Sequence, residues 1–479
     1  MKKVIWQAFA LVLVASLLLT ACGAPATEAP AITEAPVATQ APAATEAPAA
    51  TEAPVVPYDF GKIVGPPGGF LERALAGEFK GTIVTVDGTQ TNPDDEKMAA
   101  GWQAFQDATG IIVHYVGDKQ FEARISIVID AGQAPDIADF PQPALLGSFV
   151  AQGKVIDVST FISADWLNQQ YIQSWLDLAT LKGPDGPITA GVFNRYSAKS
   201  LVWYPKAKFD EAGYKVPDTW DQLIALQNQI KADGDAPWCV GIESGAATGW
   251  PATDWMEDVL LRTTSLENYD AWVAGTLPFS SPEVKHAADI IGDIWFTEGN
   301  VYGGRDAIVS TFFGDSPANM FTDPPNCWLH RQASFITGFF PDGTKAGVDF
   351  GVFYLPPIDP QYGKPLLGAG DIYAMFNDRP EVRALMEYFT LPNSVSGFLY
   401  EGGAFAAQKT ATPEMYSVPL EVSIAELFST TTSLRFDGSD LMPPEVGAGS
   451  FWKGMTDWAS GSADLDTVLK EIDDSWPKK

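Results

Sequence analysis

One group of side chains able to move protons lies in the middle of the chain, at Asp254, Glu257 and Asp258. Two carboxylates about 5–9 Å apart suffice for acid and base catalysis of glycosidic bond cleavage. On a helix, however, Asp254 and Asp258 are spaced i, i+4, and such a pair is commonly a solvated face. The sequence shows no Ser-His-Asp order, phosphate-binding glycine loop or calcium loop. We therefore expect no catalytic residues, and a glycosidase-like enzyme stays as the alternative.

Cys22 has the most specific local sequence context. Two lysines open the chain, an apolar run extends from Val4 to Leu18, and Leu-Thr-Ala stands directly before the cysteine. This pattern predicts a secretory signal peptide, because the run is too short to remain as a membrane span. The ending resembles the lipobox of bacterial lipoproteins, which implies cleavage after residues 1–21 and a lipid on the Cys22 thiol. An ordinary signal with a chance cysteine is the alternative.

Residues 22–57 are a repeat that cannot build a core. Thr-Glu-Ala-Pro recurs with a period of six residues, and most of the apolar residues are alanine. The composition predicts a disordered, semi-rigid tether that reaches on the order of 100 Å at about 3.1 Å per residue. Together with the lipid, it predicts an exported protein anchored to the outer face of the cell membrane.

The remaining residues, 58–479, are too many for one compact core and suit two lobes. The whole chain has 30 Lys+Arg against 60 Asp+Glu and a net charge of −30. This charge argues against nucleic acid or anionic lipid as partners. The aromatic content of 12% can both build large cores and line a pocket.

Two further cysteines, Cys239 and Cys327, form an even pair in an exported domain. They predict a disulfide, which would stabilise the fold by about 4–5 kcal/mol in the chain-entropy model. Two buried thiols are the alternative. The histidines His114, His286 and His330 show no metal-ligand spacing with these cysteines, so we expect neither a metal site nor a cofactor.

Strands and helices alternate at the start of the folded part. The pattern predicts strands at 82–86, 111–115 and 135–139, with helices between Asn92 and Gly110 and from Phe121 onward. This βαβαβ order predicts a mostly parallel sheet with helices on both faces.

Later segments mix helices with returning strands. Strands are predicted at 200–204, 349–354 and 366–375, and the last is expected to be broken by Gly368 and Gly370 where a backbone approaches closely. Thr219 is the predicted cap of a helix that begins at Trp220, and further helices end the chain.

Five motifs in order resemble a known family. They are Ala131-Gly-Gln-Ala-Pro-Asp-Ile137, Leu201-Val-Trp-Tyr-Pro205, Pro217-Asp-Thr-Trp-Asp-Gln-Leu223, Gly249-Trp-Pro-Ala-Thr-Asp-Trp-Met-Glu-Asp258 and Phe451-Trp452. The family is that of the extracellular sugar-binding proteins of ABC importers, and the branch resembles α-glucoside and maltose/maltodextrin binders. The resemblance extends over nearly all of residues 80–477.

The resemblance implies an α/β fold of two lobes, the type II periplasmic-binding-protein-like fold, with mixed or parallel sheets flanked by helices. The chain would cross the hinge several times. The first lobe would comprise residues 58–195 and 365–412, and the second lobe residues 196–364 and 413–479.

A sugar site needs flat aromatic rings for its C–H faces and polar groups for its hydroxyls. Trp452 lies where the family has an aromatic platform for a glucosyl ring, and Trp250 and Trp328 are further stacking candidates. Packing in a core is the alternative for each tryptophan.

The remaining candidates are polar except Phe140, and all but Asp254 and Arg435 are placed at strands, because ligands of open α/β sheets bind at the carboxyl ends of strands. A solvated surface or an interlobe ion pair is the alternative for the charged ones. The candidates are Gln90, Asp139, Phe140, Gln142, Asp254, Asp371 and Arg435.

These observations predict a monomeric, lipid-anchored solute receptor rather than an enzyme. It would capture an α-glucoside or a related di- or oligosaccharide between its lobes and deliver it to the permease subunits of an ABC importer. A secreted carbohydrate-active enzyme and a surface polysaccharide-capturing module are the alternatives. The second of these would usually be built of β-sandwich strands.

Overall fold

The computed structural model describes residues 60–417, 419–420, 423–424 and 431–478. The predicted signal peptide, the lipidated Cys22 and the tether lie outside the described residues. Among the helices of the described part, none is long and apolar enough to cross a membrane.

Strands and helices alternate along most of the described chain. The strands β1 to β13, in chain order, are Ile83–Gly88, Ile112–Gly117, Ile137–Phe140, Thr180–Gly183, Gly186–Thr189, Val192–Ala198, Leu201–Tyr204, Ala236–Trp238, Cys327–Arg331, Gly351–Tyr354, Pro365–Met375, Phe405–Ala406 and Ser433–Phe436. The described α-helices α1 to α17 are Phe70–Leu75, Asp94–Thr109, Phe121–Asp130, Pro143–Ala151, Ala164–Gln170, Gln173–Ala179, Lys206–Glu211, Trp220–Ala232, Trp250–Leu260, Leu266–Val273, Pro282–Trp295, Gly304–Ser310, Pro380–Phe389, Ser396–Glu401, Gly438–Leu441, Trp452–Ser460 and Leu465–Asp474.

The first lobe is built on a seven-stranded sheet with the order β12-β6-β11-β3-β1-β2, and β13 pairs with β11. Strand β1 runs parallel to both β2 and β3, which confirms the predicted βαβαβ unit. Strand β11 is antiparallel to β3 and β6, so the complete sheet is mixed. The hydrophobic core of this lobe lies between the sheet and its covering helices.

Helix α2 forms where the sequence predicts it. Met98, Trp102 and Phe105 recur at helical spacing and are buried against the sheet. Gly110 ends the helix with a φ of 69°, a left-handed conformation that favours glycine. The burial of this face holds the loop between β1 and α2 at the edge of the sheet.

The second lobe is built on a four-stranded sheet with the order β10-β7-β9-β8. Its core contains a row of three tryptophans, in which Trp255 lies 5.3 Å from Trp238 and 5.8 Å from Trp295 between ring centroids. Thr219 caps helix α8 in a reciprocal capping box with Gln222, as its position before Trp220 predicts. Cys239 and Cys327 form the predicted disulfide, with Cα atoms 5.4 Å apart.

The described chain crosses between the lobes after β6, after β10 and after β13. Strand β11 is continuous from Pro365 to Met375, so the expected break at its two glycines is wrong. Gly370 nevertheless meets a close neighbour, because a Cβ atom there would lie 3.1 Å from the Trp175 ring and from the backbone oxygen of Arg195. Two lobes joined by repeated crossings confirm the predicted fold class.

Candidate functional site

A cavity of about 190 Å³ lies between the two lobes. Its first-lobe wall comes from the segments that follow β1, β2 and β3, namely 89–91, 118–119 and 141–142. Because parallel strands end at the same edge of a sheet, these three segments meet there. We call this surface, together with Asp94, Glu122 and Asp371, the polar wall.

Gly117 lets two loops of the polar wall approach each other. A Cβ atom at this position would lie 1.9 Å from the backbone oxygen of Gln90. That oxygen also accepts a hydrogen bond from the Tyr115 hydroxyl at 3.0 Å. A larger residue at position 117 would therefore displace the backbone that carries Gln90.

The polar wall presents acceptor atoms that the described residues leave unfilled. Gln90 Nε2 donates to Asp371 Oδ1 at 3.4 Å, and Gln142 Nε2 donates to Glu122 Oε1 at 3.5 Å. The amide oxygens of both glutamines are buried and accept no hydrogen bond from the described part of the chain. Burial raises the pKa of Glu122 to about 7. A buried acceptor without a donor costs about 1–3 kcal/mol, so this wall suits a ligand rich in hydroxyl groups.

The opposite surface is made of aromatic rings and is called here the aromatic wall. It consists of Trp250 at the start of α9, the pair Phe312 and Phe313 after α12, and Phe335 and Phe339 in the 3₁₀ turn Ser334–Phe339. The Phe313 ring lies 5.0 Å from Trp250 and 5.2 Å from Phe339 between centroids. These contacts hold the rings in fixed orientations around an apolar surface.

The two walls touch at the rim of the cavity. The Lys119 ammonium lies 3.8 Å from the centroid of the Phe312 ring, a cation–π contact between the lobes. The backbone oxygen of Lys119 also accepts a hydrogen bond from the Ala246 N–H at 3.4 Å. The cleft is therefore closed at this edge.

Trp452 lines the cavity with only 3% of its surface exposed. It is the first residue of α16 and follows a π-helical turn, Glu445–Phe451, whose wider winding sets the direction in which α16 begins. Its indole Nε1 is buried and has no hydrogen-bond partner among the described residues. The geometry thus offers a buried donor beside the cavity as well as an aromatic surface.

Arg195 on β6 joins two carboxylates under the polar wall. Its guanidinium lies 2.9 Å from Asp139 Oδ2 and 3.4 Å from Asp371 Oδ2. Burial raises the pKa of Asp139, and the charge of Arg195 opposes that shift. Asp371 is thereby held at the cavity surface, while Asp139 is sealed behind it.

Lys199 forms a second buried network where the chain crosses between lobes. Its ammonium lies 2.8 Å from Asp254 Oδ1 and also contacts Asp437. Carboxylate oxygens of Asp254, Glu257 and Asp437 lie within 4.8 Å of one another. Glu257 accepts hydrogen bonds from the Gly438 and Ser439 N–H groups, both at 2.9 Å. The Lys199 ammonium therefore compensates part of the negative charge of these buried carboxylates.

The interpretation of Asp254 and Asp258 as a solvated helix face is wrong. Both residues have no exposed surface. Asp258 lies 2.8 Å from Arg331 Nη2 and also contacts Arg262, so its charge is compensated twice inside the second lobe. The Arg262 and Arg331 charges oppose its burial and lower the pKa of Asp258.

Half of the predicted ligand residues line the cavity. They are Gln90, Gln142, Trp250, Asp371 and Trp452. The other half lie outside the cavity lining, each for a visible reason. They are Asp139, Phe140, Asp254, Trp328 and Arg435.

Two of the outlying residues belong to β3 and one to the network around Lys199. Asp139 is buried against Arg195, and the Phe140 ring packs in the first core 5.4 Å from Phe121. Asp254 is directed to Lys199 rather than to the cavity.

The last two outlying residues make contacts elsewhere in the second lobe. Trp328 lies in β9, where its indole N–H donates to Asp235 at 3.1 Å and its ring packs against Tyr214. Arg435 pairs with Asp270 at 2.6 Å near the protein surface.

Several cavity residues were not predicted from the sequence. Each of them carries either an aromatic ring or a charge. They include Asp94, Lys119, Glu122, Phe312, Phe313, Phe335, Phe339 and Asp440. The adjacent pair Phe312-Phe313 was an available signal, since two neighbouring aromatic residues in a segment rich in glycine are unusual for a surface loop.

Comparison with known proteins agrees with this architecture. Residues 88–394 match the family described as bacterial extracellular solute-binding protein. The osmoprotective compounds-binding protein GgtB of Synechocystis sp. is 44% identical over 398 residues, which are 82% of this chain and 92% of that protein. The alpha-glucosides-binding periplasmic protein AglE of Rhizobium meliloti is 38% identical over 406 residues, 83% of this chain and 88% of that protein.

Solved structures share the fold. The bacterial solute receptor AcbH superposes with a TM-score of 0.70 at 18% identity, over 82% of this chain and 98% of that chain. Maltose-bound MalE3 of T. maritima superposes with a TM-score of 0.63 at 16% identity, over 82% and 98%.

The extent of the family match and the identity to two curated relatives leave one assignment. Both relatives are named as binding proteins. The chain belongs to the bacterial extracellular solute-binding protein family, and it is the exported substrate-binding component of an ABC importer.

Proposed function

We propose that the protein captures an α-glucoside, or a related di- or oligosaccharide, between the polar wall and the aromatic wall. The supporting observation is the contrast across one cavity, with unfilled acceptors on one side and packed rings on the other. A sugar ring offers C–H faces to the rings and hydroxyls to the acceptors. The similarity to AglE, an alpha-glucosides-binding protein, supports the same class of ligand.

A compact ligand is favoured over a long oligosaccharide. The cavity of about 190 Å³ is smaller than the roughly 300–1,000 Å³ of sites for drug-sized ligands. We therefore propose a ligand of one or two rings. A small osmoprotective solute is the second candidate, because GgtB, at 44% identity, is named for binding osmoprotective compounds.

We also propose how capture is coupled to delivery. A ligand that contacts both walls favours the closed cleft by its higher affinity for that state. The closed form then docks on the permease as a monomer held near the membrane by a lipid on Cys22. The lobe ranges 58–195 with 365–412 and 196–364 with 413–479 are part of this proposal, although β13 within the last range pairs with β11 of the first-lobe sheet.

Isothermal titration calorimetry of the purified full-length protein against di- and monosaccharides tests the proposal. We expect maltose, trehalose or methyl α-glucoside to bind. The best ligand should lose roughly tenfold in affinity with Trp452→Ala, because a ring contact and an indole donor are removed. Binding of none of these sugars, or hydrolysis of one without any partner, would refute the function. Unchanged affinity of Trp452→Ala would refute the site.

A further inference from the structure

Asp440 lines the cavity, and none of the contacts described above involves its carboxylate. It lies on the short helix α15 and has 5% of its surface exposed. Its backbone N–H donates to Asp437 Oδ1 at 3.2 Å. Its own carboxylate makes neither an ion pair nor a hydrogen bond with the residues that the structure describes.

Every other carboxylate that lines the cavity has a partner within the protein. The pairs are Asp94 with Lys97 at 3.1 Å, Asp118 with Arg124 at 2.7 Å, Glu122 with Gln142 at 3.5 Å, Asp371 with Arg195 at 3.4 Å, and Asp437 with Lys199. Burial of a polar group without a partner is costly, so such a group in a cavity indicates a role toward a ligand.

The surroundings of Asp440 disfavour a negative charge. Burial is the main cause that raises the pKa of its carboxyl group, followed by the charge of Asp437 and opposed by Lys199. Asp254 and Asp371 add to the same effect from α9 and β11. The same surroundings disfavour a further negative charge brought by a ligand, whereas a ligand hydroxyl group can donate a hydrogen bond to the Asp440 carboxyl group. The two groups are therefore complementary.

The charge balance of the whole cavity points in the same direction. Six carboxylates line it, namely Asp94, Asp118, Glu122, Asp371, Asp437 and Asp440, against the cations Lys119, Arg195 and Lys199. Both Arg195 and Lys199 are already engaged by carboxylates. An anionic substituent on a ligand would consequently enter a site that offers few free cations.

We infer that Asp440 is a ligand-contacting residue that selects an uncharged hydroxyl group and rejects ligands carrying an anionic group at that position. The inference rests on the proposed function and adds a determinant of specificity to it. Discrimination by an unfavourable charge is a general means by which binding sites exclude close analogues.

The experiment compares wild type with Asp440→Asn and Asp440→Ala by calorimetry on the full-length protein. Asparagine keeps the shape and a hydrogen-bond acceptor without the charge, whereas alanine removes both the shape and the acceptor. The probes are methyl α-glucoside and maltose as neutral sugars, and glucose 1-phosphate, glucose 6-phosphate and glucuronic acid as anionic ones. Asp457→Asn is the matched control, because Asp457 lies on α16 outside the cavity lining and pairs with Lys453.

For wild type we expect the anionic sugars to bind at least about 100-fold more weakly than the best neutral one. Asp440→Asn should keep the neutral affinity within about threefold and raise the affinity for at least one anionic sugar by about tenfold. Asp440→Ala should lose about tenfold for the neutral sugar. Asp457→Asn should reproduce the wild-type selectivity.

Two results overturn the inference, and they are distinguishable. If wild type binds neutral sugars but Asp440→Asn leaves the ratio for all three anionic sugars unchanged, only the role of Asp440 is wrong. If wild type binds none of the neutral sugars, the proposed function is wrong and the role of Asp440 falls with it. Thermal unfolding of each variant verifies that it is folded before its affinities are compared.

Discussion

The two walls of the cleft differ in how firmly the rest of the protein holds them. The polar wall consists of loops at a sheet edge, and Gln90 and Gln142 keep acceptor atoms unfilled. The rings of the aromatic wall contact one another and pack on the buried hydrophobic cluster that contains the disulfide-bonded Cys239 and Cys327. The Lys199 ammonium also lies 5.3 Å from the Trp250 ring. Ligand specificity can therefore change at the polar wall with little loss of stability, whereas the aromatic wall is tied to the core.

The largest effect is expected from Lys199→Met, which removes the cation beneath the aromatic wall. Asp437 would lose its ion-pair partner and Asp254 would keep only Arg331 at 3.5 Å, so the free energy of unfolding should fall by about 3–5 kcal/mol. Urea unfolding measures this change. Lys206→Met is the matched control, because its exposed pair with Asp210 should contribute about 0.5 kcal/mol or less. Similar losses in the two variants would contradict the difference between buried and exposed pairs.

A smaller effect is expected from Trp250→Ala, which opens the aromatic wall itself. Loss of ring contact and apolar burial should weaken binding of the best sugar by about 2 kcal/mol, or roughly 30-fold. Calorimetry gives the affinity, and thermal unfolding should show a simultaneous loss of stability because Trp250 packs on Phe313 and Phe335. An affinity within twofold of wild type would exclude Trp250 from the ligand contacts.

The smallest effect concerns the polar wall and depends on pH. The pKa of Glu122 is raised from 4.5 to about 7 by burial. Below about pH 4.5 the carboxyl group is protonated in both the folded and the unfolded state. Between about pH 4.5 and 7 the folded state keeps a proton that the unfolded state releases, so stability declines as the pH rises.

Glu122→Gln should remove this part of the pH dependence. We expect the difference in unfolding free energy between pH 5 and pH 6 to shrink by about 1 kcal/mol relative to wild type. Urea titrations at the two pH values measure it. Asp130→Asn changes the same charge on α3 in an exposed ion pair with Lys154 and serves as the control. An equal shrinkage in both variants would assign the effect to net charge rather than to burial.

The two walls also differ in how far the sequence predicts them. Gln90, Gln142 and Asp371 could be predicted, because the βαβαβ pattern sends the loops after parallel strands to one edge. Asp139 and Phe140 were misplaced because β3 extends through Phe140, so the exposed loop begins a residue or two later than expected. Alternation along a strand makes such a small shift decisive for which side chain reaches the cavity.

Apart from Trp250, the rings of the aromatic wall were not predicted, for a different reason. Phe335 and Phe339 lie in a 3₁₀ turn and Phe312 and Phe313 in a short connection, where no periodicity tells which side a ring faces. Trp328, by contrast, lies in a strand and packs in the core of the second lobe. Residue type alone identified aromatic candidates, and only the tertiary structure separates those at the cleft from those in the interior.

The π-helical turn before Trp452 makes this position sensitive to chain length. Each backbone hydrogen bond of such a turn spans one more residue than the corresponding bond of an α-helix. Removing a single residue from Glu445–Phe451 while the wider winding persists would rotate the start of α16 by roughly a quarter of a turn. The indole would then leave the cleft without any change in its own identity. Insertions and deletions in this stretch, more than point substitutions, are thus a direct route by which evolution could retune which solutes such a receptor accepts.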